Sequence, residues 1–309
     1  MTTIELPLIG AGGEPVDLAR TLNSHGFADL APMALDEDAL LLGCTIRVPG
    51  GSPRRVRIGQ GSPGNARVEV VGRRPGARAL EAVRTTSRHV LRLDQDLSAF
   101  YDQARDDPDL AWAVTGAGRM IQSPTVFEDV IKTVCTTNCT WSATVRMVNA
   151  LVSELGDPAT GGSGSLTNAF PTPDVMASAP EAFYRDVVRA GYRGAYLIEL
   201  SRRVASGEVD LVALAAAGPD ERSDDELEQQ LLALPGVGPY AAAHIMMTIG
   251  HNSRLILDSW TRPTYAKALG RTKPVSDAAI RRRFRPYGEQ AGLAFWLFVT
   301  RDWVDEHSG

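Results

Sequence analysis

This 309-residue chain has three cysteines, Cys44, Cys135 and Cys139, a scarcity that excludes a closed disulfide framework. No apolar signal-type stretch follows Met1, which with the free thiols sets the expectation of a reducing cytoplasmic compartment. Long hydrophobic runs are absent too. A stretch such as "LAFWLFV" falls far short of the roughly 20 residues a membrane span requires, so a soluble protein with no membrane partner is expected. Positive charge is lacking overall. The formal net charge of −5 counts against a nucleic-acid partner, because such domains are typically basic. Between Gly250 and Gly288, however, nine Lys/Arg stand against two acids, a run that reads either as a solvated helix face or as an anion-attracting patch. What remains is ordinary globular composition, 44% hydrophobic and 22% charged, with length for two or three domains.

Residues 1–75 carry short apolar or alternating runs, "IELPLIG", "ALLLGCTIRV", "RRVRIG" and "ARVEVVG", separated by Gly/Pro/Ser clusters. These are strand and hairpin signals, interrupted by one helix, "PVDLARTLNSH". From 76 to 309 the apolar spacing is that of helices, many opening on Ser, Asp or Pro where a cap belongs. One continuous helical stretch is predicted from Ser123 to Leu155, and "GDPATGGSGSLTNAFPTP" is the clearest loop. The predicted class is α+β: a small N-terminal antiparallel sheet domain followed by an all-helical body.

Within that body, "DDELEQQLLALPGVGPYAAAHIMMTIG" gives two helices joined by a Pro-Gly-Val-Gly turn, a hairpin over about 227–249. Gly236 and Gly238 permit positive φ and the approach of another backbone, while the free amides of the second helix point outward with its dipole behind them. Pro239 at the first helical position costs nothing there. Such a turn suits a DNA phosphate and reads no base. Eighteen residues after Tyr240, Asp258 follows three aliphatic residues in "LILDSWTRP". It reads either as a helix N-cap or as a carboxylate delivered from an apolar wall into a site.

The hairpin, its Gly/Pro-rich loop and the Asp some twenty residues on resemble the helix-hairpin-helix (HhH-GPD) DNA glycosylase superfamily. "SPTVFEDVIKTVCTTNCTWSATVRMVNALVSELG", "AFPTPDVMASA" and "AGYRGAYLIELSRRVASG" extend the resemblance, in order and spacing, to the 3-methyladenine DNA glycosylase II and 8-oxoguanine DNA glycosylase branch over about 76–303. The resemblance implies a two-lobed helical body that flips a damaged base out of double-stranded DNA, in a nucleoid-associated monomer. It assigns Asp258 as the catalytic carboxylate, which stabilises oxocarbenium character on the deoxyribose and can orient a water. It assigns Tyr192 and Arg193 to filling the vacated space and contacting the orphaned base, with Asn138 assisting. It gives the amides of Gly236, Gly238 and Tyr240 to a DNA phosphate, and the carbonyls of Leu232, Leu234 and Val237 to a structural monovalent cation, Na+ or K+. No other cofactor is implied. The pocket walls would be Tyr240, His244, Trp260, Phe295 and Trp296, aromatic faces that stack bases and attract cationic ones. His244 either donates to a base edge or is a buried, satisfied histidine, and "AGLAFWLFV" also has the composition of plain core.

Departures from the pattern narrow the expectation. The Schiff-base lysine of bifunctional relatives is Tyr240 here, and a phenol forms no imine, so strand cleavage by that route is not expected. Phe295 and Val299 replace the Gln and Phe that read 8-oxoguanine, and Ala143 replaces an arginine near the orphaned cytosine. No cysteine follows Cys139, so no iron–sulfur cluster is expected. Cys135 and Cys139 read as packing residues. The leading expectation is a monofunctional glycosylase for an alkylated or deaminated purine; the alternatives are an 8-oxoguanine-type enzyme with an altered pocket and a non-catalytic DNA-binding protein.

Overall fold

The computed structural model describes residues 2–161, 167–218 and 221–304, so positions 162–166 of the predicted loop lie outside the described residues. Five strands, β1 (Thr2–Pro7), β2 (Met33–Asp36), β3 (Leu41–Ile46), β4 (Arg54–Gln60) and β5 (Asn65–Val70), form one antiparallel sheet in the order β1-β5-β4-β3-β2. Alternation sends Ile4, Leu42, Val56, Ile58, Val68 and Val70 to one buried face, where the register pairs Ile4 and Ile58 with Val68. Helix α1 (Leu18–Leu22) and helix α2 (Ala77–Val90) cover that face, with Val83, Val90 and Ile121 in the same core. The first packing unit therefore reaches past residue 75. The chain's pattern changes there, but the sheet still needs a helix to bury its apolar side.

The remaining helices are α3 (Ser98–Ala104), α4 (Val126–Thr136), α5 (Trp141–Leu155), α6 (Pro173–Ser178), α7 (Arg193–Ala205), α8 (Leu211–Ala216), α9 (Asp224–Leu232), α10 (Pro239–Ile249), α11 (Thr261–Ala268), α12 (Asp277–Phe284) and α13 (Ala291–Thr300). They bury two separate cores. One gathers side chains of α4, α5, α7, α9 and α10 with Phe27 and Leu30 of the N-terminal unit; the other gathers α3, α12 and α13. Met120, Ala243, Met247, Ile256 and Trp296 form a small apolar junction linking α10 and α13. The helical stretch predicted from Ser123 to Leu155 is broken. Asn138 takes a left-handed conformation (φ 46°) between α4 and α5, and Thr140 caps the new helix by accepting from the Ala143 amide.

Helix α4 is buried along nearly its whole length, charged residues included. Lys132 donates to Glu128 Oε1 (2.7 Å), Leu30 O (3.0 Å) and Ser123 Oγ (3.1 Å), which satisfies the ammonium and ties α4 to the N-terminal unit. That tie sets His25–Phe27 beside the hairpin.

Candidate functional site

The hairpin is built by local rules. Ser223 and Glu226 close a capping box at the start of α9, and Leu234 and Val237 are buried under the turn. Gly236 sits at φ 80°, and a Cβ there would lie 3.0 Å from Tyr196 Cβ and 3.1 Å from Val134 Cγ1. Glycine is thus required by the protein itself at 236. At Gly238 the backbone is extended (φ −100°, ψ −177°) and nothing lies within 4 Å of a would-be Cβ. The protein leaves open space there, directly before the free amides of α10. His251 Nδ1 meets Asp224 Oδ1 at 2.6 Å, linking the far ends of the two helices.

A cavity of about 930 Å³ opens between this turn, the start of α5, the Asp258 loop and the His25–Phe27 segment of the N-terminal unit. Asp258 Oδ1 accepts from the amides of Trp260 (2.9 Å) and Thr261 (2.7 Å), while the Thr261 hydroxyl accepts from the Asp258 amide (2.9 Å) and donates to Ile256 O (2.8 Å). Asp258 is therefore both a cap for α11 and a carboxylate held through one oxygen at the cavity wall. Tyr240, inside the first turn of α10, lines the same cavity. Burial and the nearby Asp258 charge raise its phenol pKa against the opposing contact with Thr136, so it is protonated at neutral pH.

His244, one turn on, is 6% exposed, and burial depresses its pKa to about 4, so the ring is neutral. It stacks obliquely with Phe27 (centroids 4.9 Å) and meets His25 edge-on (5.5 Å). Burial first, then His244, lower His25 to about 3. Trp260, Trp296 and Trp303 cluster on the cavity wall, with centroids 5.3–6.0 Å apart, and Trp296 Nε1 donates to Ser24 O (2.8 Å). Among the described residues lining the cavity, Asp258 is the one Asp or Glu, and none is Lys or Arg. The whole chain has three lysines, Lys132, Lys267 and Lys273.

Asn138, one of the lining residues, donates through Nδ2 to Tyr192 Oη (3.2 Å), bringing these two residues together on the surface. Tyr192 is 56% exposed and packs edge-on against Tyr196.

Several expected placements are corrected. Arg193 is buried under the loop, its guanidinium bonded to Thr137 O and Oγ1 and to Ala190 O, so it does not project outward with Tyr192. Phe295 is not a cavity wall. It is fully buried between Tyr265 and Phe284, because all ten residues of α13 are buried and only one side of that helix can meet the cavity; Trp296 takes that side. Val299 also lies in that core. In the basic run, Arg254 pairs with Asp225 and Glu228, Arg262 with Asp277 and Arg283 with Asp107 and Asp109, so part of its charge is neutralised locally.

Among the cavity residues that sequence reading missed, four carry aromatic or imidazole rings, His25, Phe27, Trp141 and Trp303. His25 closes the predicted helix "PVDLARTLNSH" and Phe27 follows it, far from the hairpin in sequence, while Trp141 lies inside the stretch predicted as one helix and Trp303 near the end of the last one. No local motif in the sequence marks any of the four.

No family model matches the chain. A stretch of 170 residues is 29% identical to an N-glycosylase/DNA lyase of Saccharomyces cerevisiae, covering 52% of this chain and 45% of that protein, so the chain spans less than half the length of that relative. Among solved structures, the chain superposes with a TM-score of 0.71 at 16% identity on MBOgg1 in complex with a low-affinity DNA ligand, covering 100% of this chain and 97% of the other. The 3-methyladenine DNA glycosylase of Archaeoglobus fulgidus superposes with a TM-score of 0.71 at 19% identity (97% and 98% covered). The Clostridium acetobutylicum 8-oxoguanine glycosylase/lyase bound to double-stranded DNA gives 0.62 at 19% identity (85% and 88%). The architecture built here, a five-stranded sheet before a two-core helical body with a glycine-turned hairpin, is the fold of these solved structures, two of them glycosylases by name.

Proposed function

We propose that this chain is a monofunctional DNA N-glycosylase of base excision repair, which extrudes a damaged purine, alkylated or deaminated, into the cavity and hydrolyses its N-glycosidic bond. The observation that carries this reading is Asp258, a carboxylate anchored through Oδ1 in an aromatic cavity with no Lys or Arg among the described residues that line it. Breaking an N-glycosidic bond builds positive charge on the sugar; a fixed carboxylate stabilises that charge and can orient the attacking water. Tyr240 stands beside it as a protonated phenol, and no lysine lines the cavity to form an imine.

The amides of Gly236, Gly238 and Tyr240 would take a DNA phosphate in the open space before α10, an anchor independent of sequence. A monovalent cation, Na+ or K+, would be held by the carbonyls of Leu232, Leu234 and Val237. The Leu234 carbonyl accepts only a long bond from the Val237 amide (3.2 Å), which leaves it a lone pair for an ion. Tyr192, steadied by Asn138, would fill the gap left by the flipped nucleotide. The reading takes the protein to act as a monomer in the cytoplasm, at the nucleoid.

That same Asn138–Tyr192 pair favours a second reading, an 8-oxoguanine-type glycosylase with an altered pocket. One assay separates the readings. Duplexes carrying hypoxanthine, 3-methyladenine, 8-oxoguanine or uracil are incubated with the protein, and strand breaks with and without alkali are compared. Alkali-dependent breaks at an alkylated or deaminated purine support the first reading, and preference for 8-oxoguanine supports the second. Binding to every duplex without base release indicates a non-catalytic DNA-binding protein.

A further inference from the structure

Resting on the glycosylase reading, we propose that His244 is a specificity-determining residue that accepts, rather than donates, a hydrogen bond from the extruded base. The cavity would then select bases carrying an N–H on the edge that reaches Nε2.

The assignment follows from counting protons. The single hydroxyl proton of Thr133 is donated to Asp129 O at 2.7 Å. In its remaining contact, with His244 Nδ1 at 3.5 Å, the Thr133 oxygen must therefore be the acceptor. The opposite tautomer would set two lone pairs against each other. A neutral imidazole has one N–H, so with Nδ1 protonated, Nε2 carries a lone pair. Nε2 has no hydrogen-bond partner among the described residues, and His244 lines the cavity.

The ring is held in place between Phe27 and His25 and has little freedom to turn. His25 cannot perform this task. Its Nε2–H donates to Ile121 O (2.7 Å), and its Nδ1 accepts from the Phe27 amide (3.4 Å). Neighbouring hydroxyl protons are also committed: Thr136 donates to Thr133 O (2.7 Å) and Thr144 to Cys135 O (3.0 Å). Around His244 the wall thus presents acceptors, and the protonated Tyr240 hydroxyl is the donor left beside them. A base with an amino or lactam N–H satisfies it, whereas a base whose edge holds only acceptors leaves Nε2 buried and unpaired.

The test compares base release in single turnover from duplexes carrying hypoxanthine, which has an N–H on its pairing edge, and 1,N6-ethenoadenine, which has none. Wild-type protein, His244→Phe and His244→Gln are used, with binding to a tetrahydrofuran-containing duplex confirming that each variant is folded. The expected result is that His244→Phe lowers the hypoxanthine preference about tenfold, the value of one hydrogen bond. His244→Gln, which keeps an acceptor, should stay within about threefold of wild type.

Independently, the ¹⁵N-histidine NMR spectrum of the free protein should show a protonated Nδ1 and an unprotonated Nε2 at His244, identified by its loss in His244→Phe. A protonated Nε2, or an unchanged preference in His244→Phe, overturns the inference while leaving the glycosylase reading standing. Release of no base from any duplex by wild type overturns both.

Discussion

Replacing Asp258 with Asn removes a charge and little else. Asn retains a carbonyl oxygen that can accept from the Trp260 and Thr261 amides, now bonded at 2.9 and 2.7 Å, and Asn caps helices about as well as Asp. Stability should therefore change by less than about 0.5 kcal/mol. The rate should respond very differently. Removing one preorganised electrostatic group from a water-excluded site typically costs about 10²- to 10³-fold, or roughly 3–4 kcal/mol of barrier. Asp258→Ala offers the internal contrast: it loses the cap as well, and about 1 kcal/mol of stability with it. The assay is single-turnover base release at saturating protein, beside urea denaturation and binding to a tetrahydrofuran duplex. Asp258→Asn should bind and fold as wild type while base release collapses. A variant within about threefold of the wild-type rate would refute the electrostatic role assigned to the carboxylate.

Three other outcomes follow from the same geometry. Gly236→Ala forces a side chain into φ 80° and against Tyr196 and Val134, and should cost about 1–3 kcal/mol in urea denaturation; Gly238→Ala, in open space, should leave stability within about 0.5 kcal/mol yet weaken duplex binding in a titration. The His244 pKa is depressed from about 6.5 to about 4, so unfolded chains take up a proton below 6.5 that the folded protein refuses until about 4. Wild type should accordingly lose about 1.4 kcal/mol per pH unit relative to His244→Phe as pH falls through that window, a difference read from urea midpoints at pH 7 and pH 5. Tyr240→Lys places an amine beside Asp258 and should give a borohydride-trapped covalent complex with a damaged duplex, visible as a shifted band on a denaturing gel.

Much of this was legible in the sequence wherever a local rule governs. The sheet followed from alternation, since one face must be apolar, and the hairpin from its Pro-Gly-Val-Gly turn, whose Gly236 the turn itself demands. Tyr240 and Asp258 could be placed by counting from that turn. The rest depends on long-range packing. Asn138 broke a predicted helix because a polar side chain tolerates the left-handed region, and nothing in the surrounding apolar spacing marked it. Phe295 and Trp296 are neighbours in a helix buried on all sides, where no polar face shows which ring meets the cavity. His25 and Phe27 enter the site from a unit more than 200 residues away from the hairpin in the sequence, held there by a buried lysine whose role no motif announces. Arg193 shows the opposite error: a charged letter at a surface position, yet its guanidinium satisfies backbone carbonyls beneath the loop.

The claim at the centre of this account is base release by water at Asp258 with the strand left intact. Borohydride trapping of the wild-type protein on the duplex from which it releases base most rapidly tests it directly. The account predicts an alkali-labile abasic product and no covalent protein–DNA band. A trapped band would contradict it, showing that an amine of the protein forms an imine at the sugar.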